Sequence, residues 1–120
     1  MDNLELTMYI FINNDLRMEK GKIASQVGHV VQHITEDIIR MGYESASLPD
    51  PYKRYMLWKN GSKKIVLKAT EQQLLELMKL PESRYVIDAG KTQIAPNSLT
   101  VVGFFPSTNI KEIAKDYKLL

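Results

Sequence analysis

Leu6-Thr7-Met8-Tyr9-Ile10-Phe11-Ile12-Asn13 carries bulky and β-branched side chains at odd and even positions alike, the pattern of a strand buried on both faces. It reads as the first strand and a central one. Beyond the turn-forming Asn13-Asn14-Asp15 and the basic stretch Arg17 to Lys22, Ile23, Val27, Val30, Ile34, Ile38 and Met41 recur at steps of four, three, four, four and three. That period predicts a long amphipathic helix ending near Gly42.

The remaining elements follow from local signals. Glu44 to Pro51 breaks the periodicity with two serines and two prolines and reads as a loop. Tyr52 to Lys59 fits a short helix with Tyr55 and Trp58 at helical spacing, and Asn60-Gly61 turns the chain into a second strand, Lys64 to Ala69. Thr70 with Gln73 three residues on signals a capped helix reaching about Leu80, where Pro81 stops it. Arg84 to Ile87 and Leu99 to Phe105 read as third and fourth strands, and Asn109 to Tyr117 as a last helix. Alternation of this kind predicts an α/β domain whose sheet is mostly parallel, with one antiparallel pair at the end.

Composition narrows the function classes. The 120 residues suit one domain, 1–120, and 44% hydrophobic with 25% charged residues suits a globular core rather than disorder. A net charge of +2 permits a polyanionic partner without demanding one. The absence of cysteine removes thiolate catalysis, disulfides and cysteine-bound metals. No apolar run approaches the ~20 residues of a membrane span, so the expected address is cytoplasmic, away from membranes.

Two segments fit a purely structural role poorly, and both follow strands, where open α/β sheets gather ligands. At the start of the long helix, Lys22, Gln26, His29 and His33 fall in one narrow stripe bordering the apolar face. Arg17, Lys20 and Lys22 flank a helix N-terminus suited to anions; an ordinary solvated basic helix start fits the same pattern. The spacing around Gly21 is not that of a phosphate loop. His29 and His33 are four apart, but Val30 stands where a zincin has Glu and no third ligand is evident, so no metal site is expected.

The second segment is Asp88-Ala89-Gly90-Lys91-Thr92-Gln93-Ile94-Ala95-Pro96-Asn97-Ser98. A carboxylate closing a strand, followed by Thr92, Gln93 and Ser98, can surround a small cavity with hydrogen-bonding groups. A turn capped by Asp and Asn side chains explains it equally well. Ser98 is not in a nucleophile elbow, which argues against a serine hydrolase.

Taken together, Asp15 to Gln26 with His29, Val66-Leu67-Lys68-Ala69, the string Asp88 to Pro96, Thr100-Val101-Val102-Gly103 and the Lys-Leu-Leu end resemble the archaeal and eukaryotic, type 2, peptidyl-tRNA hydrolases over nearly the whole chain. The resemblance implies a single three-layer α/β domain, a four-stranded mixed sheet flanked by helices on both faces. It also implies a cofactor-independent esterase acting on peptidyl-tRNA, and it assigns activity to Lys22, Gln26, His29, Asp88 and Thr92, with Thr100 and Lys20 as further site residues.

An ester is easier to hydrolyse than an amide, so the expectation is an activated water without a covalent nucleophile: Asp88 orients or deprotonates that water or holds Lys22 in place, with Lys22 and a donor from Thr92 or Gln26 on the oxyanion. Arg17, Lys20, Lys63, Lys64 and Lys91 are candidates for tRNA phosphates, and Gln93 for the substrate's polar groups. Trp58 fits a core anchor better than a base-stacking platform. Glu19, Val27-Gly28, Phe104-Phe105 and the segment between Gly42 and Trp58 depart from the family pattern. A non-catalytic RNA- or protein-binding module on the same fold is the alternative, and a homodimer stays open.

Overall fold

Strand β1 (Met8–Asn13) is buried at every position. Met8, Ile10 and Ile12 enter one apolar core, Tyr9 and Phe11 another, which is why both parities of its sequence are hydrophobic. The computed structural model describes residues 6–89 and 97–120. Within them β2 (Lys64–Ala69) pairs parallel with β1, and β4 (Ser98–Phe104) pairs antiparallel with both β1 and β3 (Ser83–Asp88), giving the order β2-β1-β4-β3.

The sheet is therefore mixed, with one parallel and two antiparallel pairs rather than mostly parallel. The connection from Asp88 to Ser98 is shorter than the roughly dozen residues a parallel crossover needs, so β4 reverses against β3. It then inserts beside β1 instead of ending the sheet.

Helices α1 (Lys20–Glu44) and α2 (Asp50–Trp58) cover one face, where Val30, Ile34, Ile38 and Trp58 pack with Met8, Ile10, Ile12 and Val101. On the other face α3 (Glu71–Leu77) and α4 (Lys111–Ala114) set Leu74, Leu77, Ile110 and Ala114 against Tyr9, Phe11, Leu67 and Val102. The layers are thus helix, sheet, helix.

Helix α1 starts three residues before the first apolar position of its stripe. Helix α4 is a single turn, shorter than its apolar spacing suggests. Thr70 and Gln73 form the full capping box on α3. Trp58 is a core anchor: its indole N–H donates to the Lys63 carbonyl at 2.8 Å.

Two features set the position of α1. A Cβ on Gly103 would stand 3.0 Å from Ile34 Cδ1 and 3.2 Å from Val30 Cγ2, so the missing side chain lets the helix lie close on β4. Arg84 of β3 then ties down the far end of the contact, its Nε donating to Asp37 at 2.5 Å while its guanidinium lies 4.7 Å from the Phe105 ring centroid. Burial works to raise the Asp37 pKa, but hydrogen bonds and charge from Arg84 and Arg40 prevail and hold it below its ordinary value of 3.8. The ionised carboxylate thus stabilises the fold fully above that value, and the contribution fades as pH falls through the lower folded value. In urea unfolding, the stability gap between wild type and Asp37→Asn should be widest near neutral pH and close in strong acid. A gap that persists unchanged there would show that the pair's charge does not matter.

Candidate functional site

The carboxyl ends of β1 and β3 lie at the same end of the sheet, because both run antiparallel to β4. The N-terminus of α1 returns over that end. From its first two turns, Lys22 reaches Asp88, the last residue of β3, with Nζ 2.6 Å from Oδ1. Both side chains are nearly enclosed, at 9% and 11% exposure, so this pair is screened far less than a surface one. One turn along α1, Gln26 is fully buried, and its Nε2 lies 3.5 Å from the same Asp88 Oδ1.

What fixes Gln26 is a β-bulge. Val86 pairs with Val101 but Ile87 pairs with Leu99, so Thr100 is an extra residue in β4. Leu99 belongs to the core under α3, Val101 to the core under α1. Regular alternation would put these two on one face; the bulge instead turns Thr100 toward α1 beside Val101. There Thr100 Oγ1 lies 2.6 Å from Gln26 Oε1 and 3.3 Å from the Val86 carbonyl oxygen. With its carbonyl accepting from Thr100, the Gln26 amide is left pointing its N–H groups at Asp88.

Thr100→Val keeps the shape and removes the donor, stranding a buried amide oxygen. We expect a loss of about 1–3 kcal/mol in unfolding stability, read from denaturant midpoints. An unchanged midpoint would mean that Gln26 is held by packing alone.

The other site residues inferred from the sequence divide clearly. Arg17, in a left-handed conformation at φ 51°, and Lys20 are exposed at the same end, beside the start of α1. His29 and His33 lie on the exposed side of α1. His29 Nε2 stands 3.4 Å from Ser25 Oγ, and among the described residues no hydrogen bond joins it to the ion pair. Thr100 stands fully buried behind the pair rather than facing outward. Lys63 and Lys64 sit at the opposite end of the sheet, at the start of β2, where Lys64 pairs with Met8. Lys91, Thr92 and Gln93 fall outside the described residues. Among the described residues, no group of three or more His, Asp or Glu is placed to hold a metal ion, and no helix is long and apolar enough to cross a membrane.

Asn13 emerges as a further structural determinant of this end. Its buried amide donates to the Leu99 carbonyl at 2.8 Å, and its Oδ1 accepts from the Asp15 N–H at 3.0 Å. It thereby ties the end of β1 to the residue before Thr100. A polar residue closing an otherwise apolar strand was its signal in the sequence. The opposite end of the sheet carries a cleft of about 460 Å³ lined by Arg54, Glu82, Phe104 and Phe105. Its one guanidinium is already engaged by Glu82 and the Pro106 carbonyl, so it presents no comparable reactive pair.

Comparison with known proteins points in the same direction. A family model described as peptidyl-tRNA hydrolase PTH2 matches residues 6–120. A peptidyl-tRNA hydrolase of Methanococcus vannielii is 41% identical, with 92% of this chain and 96% of that protein aligned. One of Staphylothermus marinus is 34% identical over 98% of each chain. The human mitochondrial peptidyl-tRNA hydrolase 2 is 34% identical over 88% of this chain and 58% of its own length.

Proposed function

Because this chain belongs to the peptidyl-tRNA hydrolase PTH2 family, we propose that it hydrolyses the ester between peptide and tRNA with water activated at the Lys22–Asp88 pair. The observation that carries this reading is the pair itself: an ammonium and a carboxylate 2.6 Å apart, nearly enclosed, at the carboxyl ends of two strands. Pure phosphate binding has little use for a carboxylate in that place, since it repels the ligand.

The proton moves in a closed cycle. Asp88 accepts a proton from water as the water oxygen attacks the ester carbonyl carbon. The Lys22 ammonium stabilises the oxyanion that forms, and Gln26 holds the Asp88 carboxylate in line. When the tetrahedral intermediate collapses, the bond to the ribose oxygen breaks and Asp88 returns the proton to that oxygen. The peptide leaves as its carboxylic acid, which gives its proton to solvent, together with free tRNA. No side chain becomes covalently attached, and side chains with water supply the whole reaction. Thr92 and His29 are assigned to catalysis on the family resemblance.

Arg17 and Lys20 extend positive charge from this end of the sheet, and tRNA phosphates would lie against them. Recycling of peptidyl-tRNA belongs where translation runs, and we assign the protein to the cytoplasm. The experiment is hydrolysis of N-acetyl-aminoacyl-tRNA by the purified protein with a chelator present. Turnover supports an esterase working with side chains and water. Binding of tRNA without turnover would assign the chain instead to a binding module.

A further inference from the structure

The two edges of the sheet are treated differently. At β2 the chain's own tail covers the edge: the Lys68 N–H donates to the Lys118 carbonyl at 2.8 Å and the Leu120 N–H to the Val66 carbonyl at 3.1 Å, with a bridge between Leu67 and Leu119. At the other edge, β3 pairs with β4 alone among the described strands. Its sequence, Ser-Arg-Tyr-Val-Ile-Asp, has no proline and no lysine, and its one basic side chain, Arg84, is turned to Asp37 of α1. Tyr85 and Ile87, paired with Val102 and Leu99 on the α3 side, are 49% and 45% exposed. Among the described strands no other pairs with this edge, and it runs to Asp88.

We propose that the free edge of β3 is the peptide subsite, where the peptidyl part of the substrate adds as an extended strand. The inference rests on the hydrolase reading and gives that site a direction. The reacting carbonyl is the carboxyl end of the peptide, and it must arrive at Asp88. A peptide lying about 4.8 Å from β3 meets this condition only if it runs parallel to β3, from the Ser83 end to the Asp88 end. The tRNA then extends past the strand ends, toward Arg17 and Lys20. Main-chain hydrogen bonding suits a substrate whose peptide can have any sequence. The apolar surface of Tyr85 and Ile87 receives alternate side chains without selecting among them closely.

The test compares N-acetyl-valyl-tRNA, N-acetyl-tetravalyl-tRNA and the tetravalyl ester with N-methyl groups on alternate amides. Wild type should prefer the plain tetravalyl ester by roughly tenfold in kcat/KM, the effect of one or two net main-chain hydrogen bonds. N-methylation should abolish that advantage, and Tyr85→Ser should lower the ratio of tetravalyl to N-acetyl-valyl kcat/KM. Equal kcat/KM for the two plain esters, or an advantage that survives N-methylation, would overturn the edge proposal and leave the hydrolase reading standing. No hydrolysis of either ester would overturn both. A wild-type dimer in sedimentation that Tyr85→Ser dissociates, with the length advantage intact, would assign the edge to a second copy of the chain and overturn the peptide subsite.

Discussion

Asp88→Asn should lower the turnover of N-acetyl-aminoacyl-tRNA by about 10²–10⁴-fold, the range a positioned general base contributes, while the protein remains folded. The substitution is nearly isosteric and keeps an oxygen that can accept from Lys22, now 2.6 Å from Oδ1. It removes the one function the mechanism assigns to that side chain, which is to take a proton from water and give it back. Because the protein still presents Arg17 and Lys20, tRNA affinity should change far less than turnover. Single-turnover kinetics with saturating enzyme separates the two effects. Near-normal turnover in a folded Asp88→Asn protein would exclude Asp88 as the base and leave it only the task of holding Lys22.

The sequence made some parts of this site legible and hid others, for identifiable reasons. Strand β1 was readable because burial on both faces shows as apolar residues at both parities. Helix α1 was readable because its core positions repeat at the helical period. Lys22 and Asp88 each stood out locally, one on a stripe bordering the apolar face and one closing a strand. Their meeting across 66 residues is set by the sheet order. That order depends on where β4 inserts, and no local pattern encodes it. The parallel expectation failed for the same reason.

Thr100 illustrates the limit more sharply. In a regular strand the alternation of Leu99, Val101 and Gly103 would send Thr100 toward the α3 side. One inserted residue at the β3–β4 pairing reverses it, and a bulge of this kind leaves no reliable signature in a single sequence. Gln26 was similarly ambiguous. Its place beside Lys22 and His29 on the helical stripe suggested a site-edge residue, yet it is fully buried while His29 is exposed. What distinguishes them is the hydroxyl waiting below Gln26, a tertiary fact. Charge alone marks Lys63 and Lys64 in the sequence, and charge carries no information about which end of the sheet a residue occupies.

Lys22→Ala should be costly twice over, in stability and in rate, and the two costs can be separated. Removing the ammonium takes away the positive charge 2.6 Å from the Asp88 carboxylate, which is only 11% exposed. The expected loss is on the order of 2–4 kcal/mol, between the values for exposed and fully buried pairs. Turnover should fall by about 10²–10³-fold, as for removal of an oxyanion donor. The Lys22→Ala/Asp88→Ala double variant distinguishes a working pair from two independent residues. If the charges belong to one unit, deleting both also removes the carboxylate that lost the Lys22 charge, so the double variant should be more stable than Lys22→Ala alone. Its turnover should be no lower than that of the worse single variant. Additive losses in both stability and rate would mean that each side chain acts separately and that the 2.6 Å contact is incidental to the reaction. Recovery of stability with additive rate losses would instead assign the ion pair to the fold, with catalysis drawing on each group in a different step.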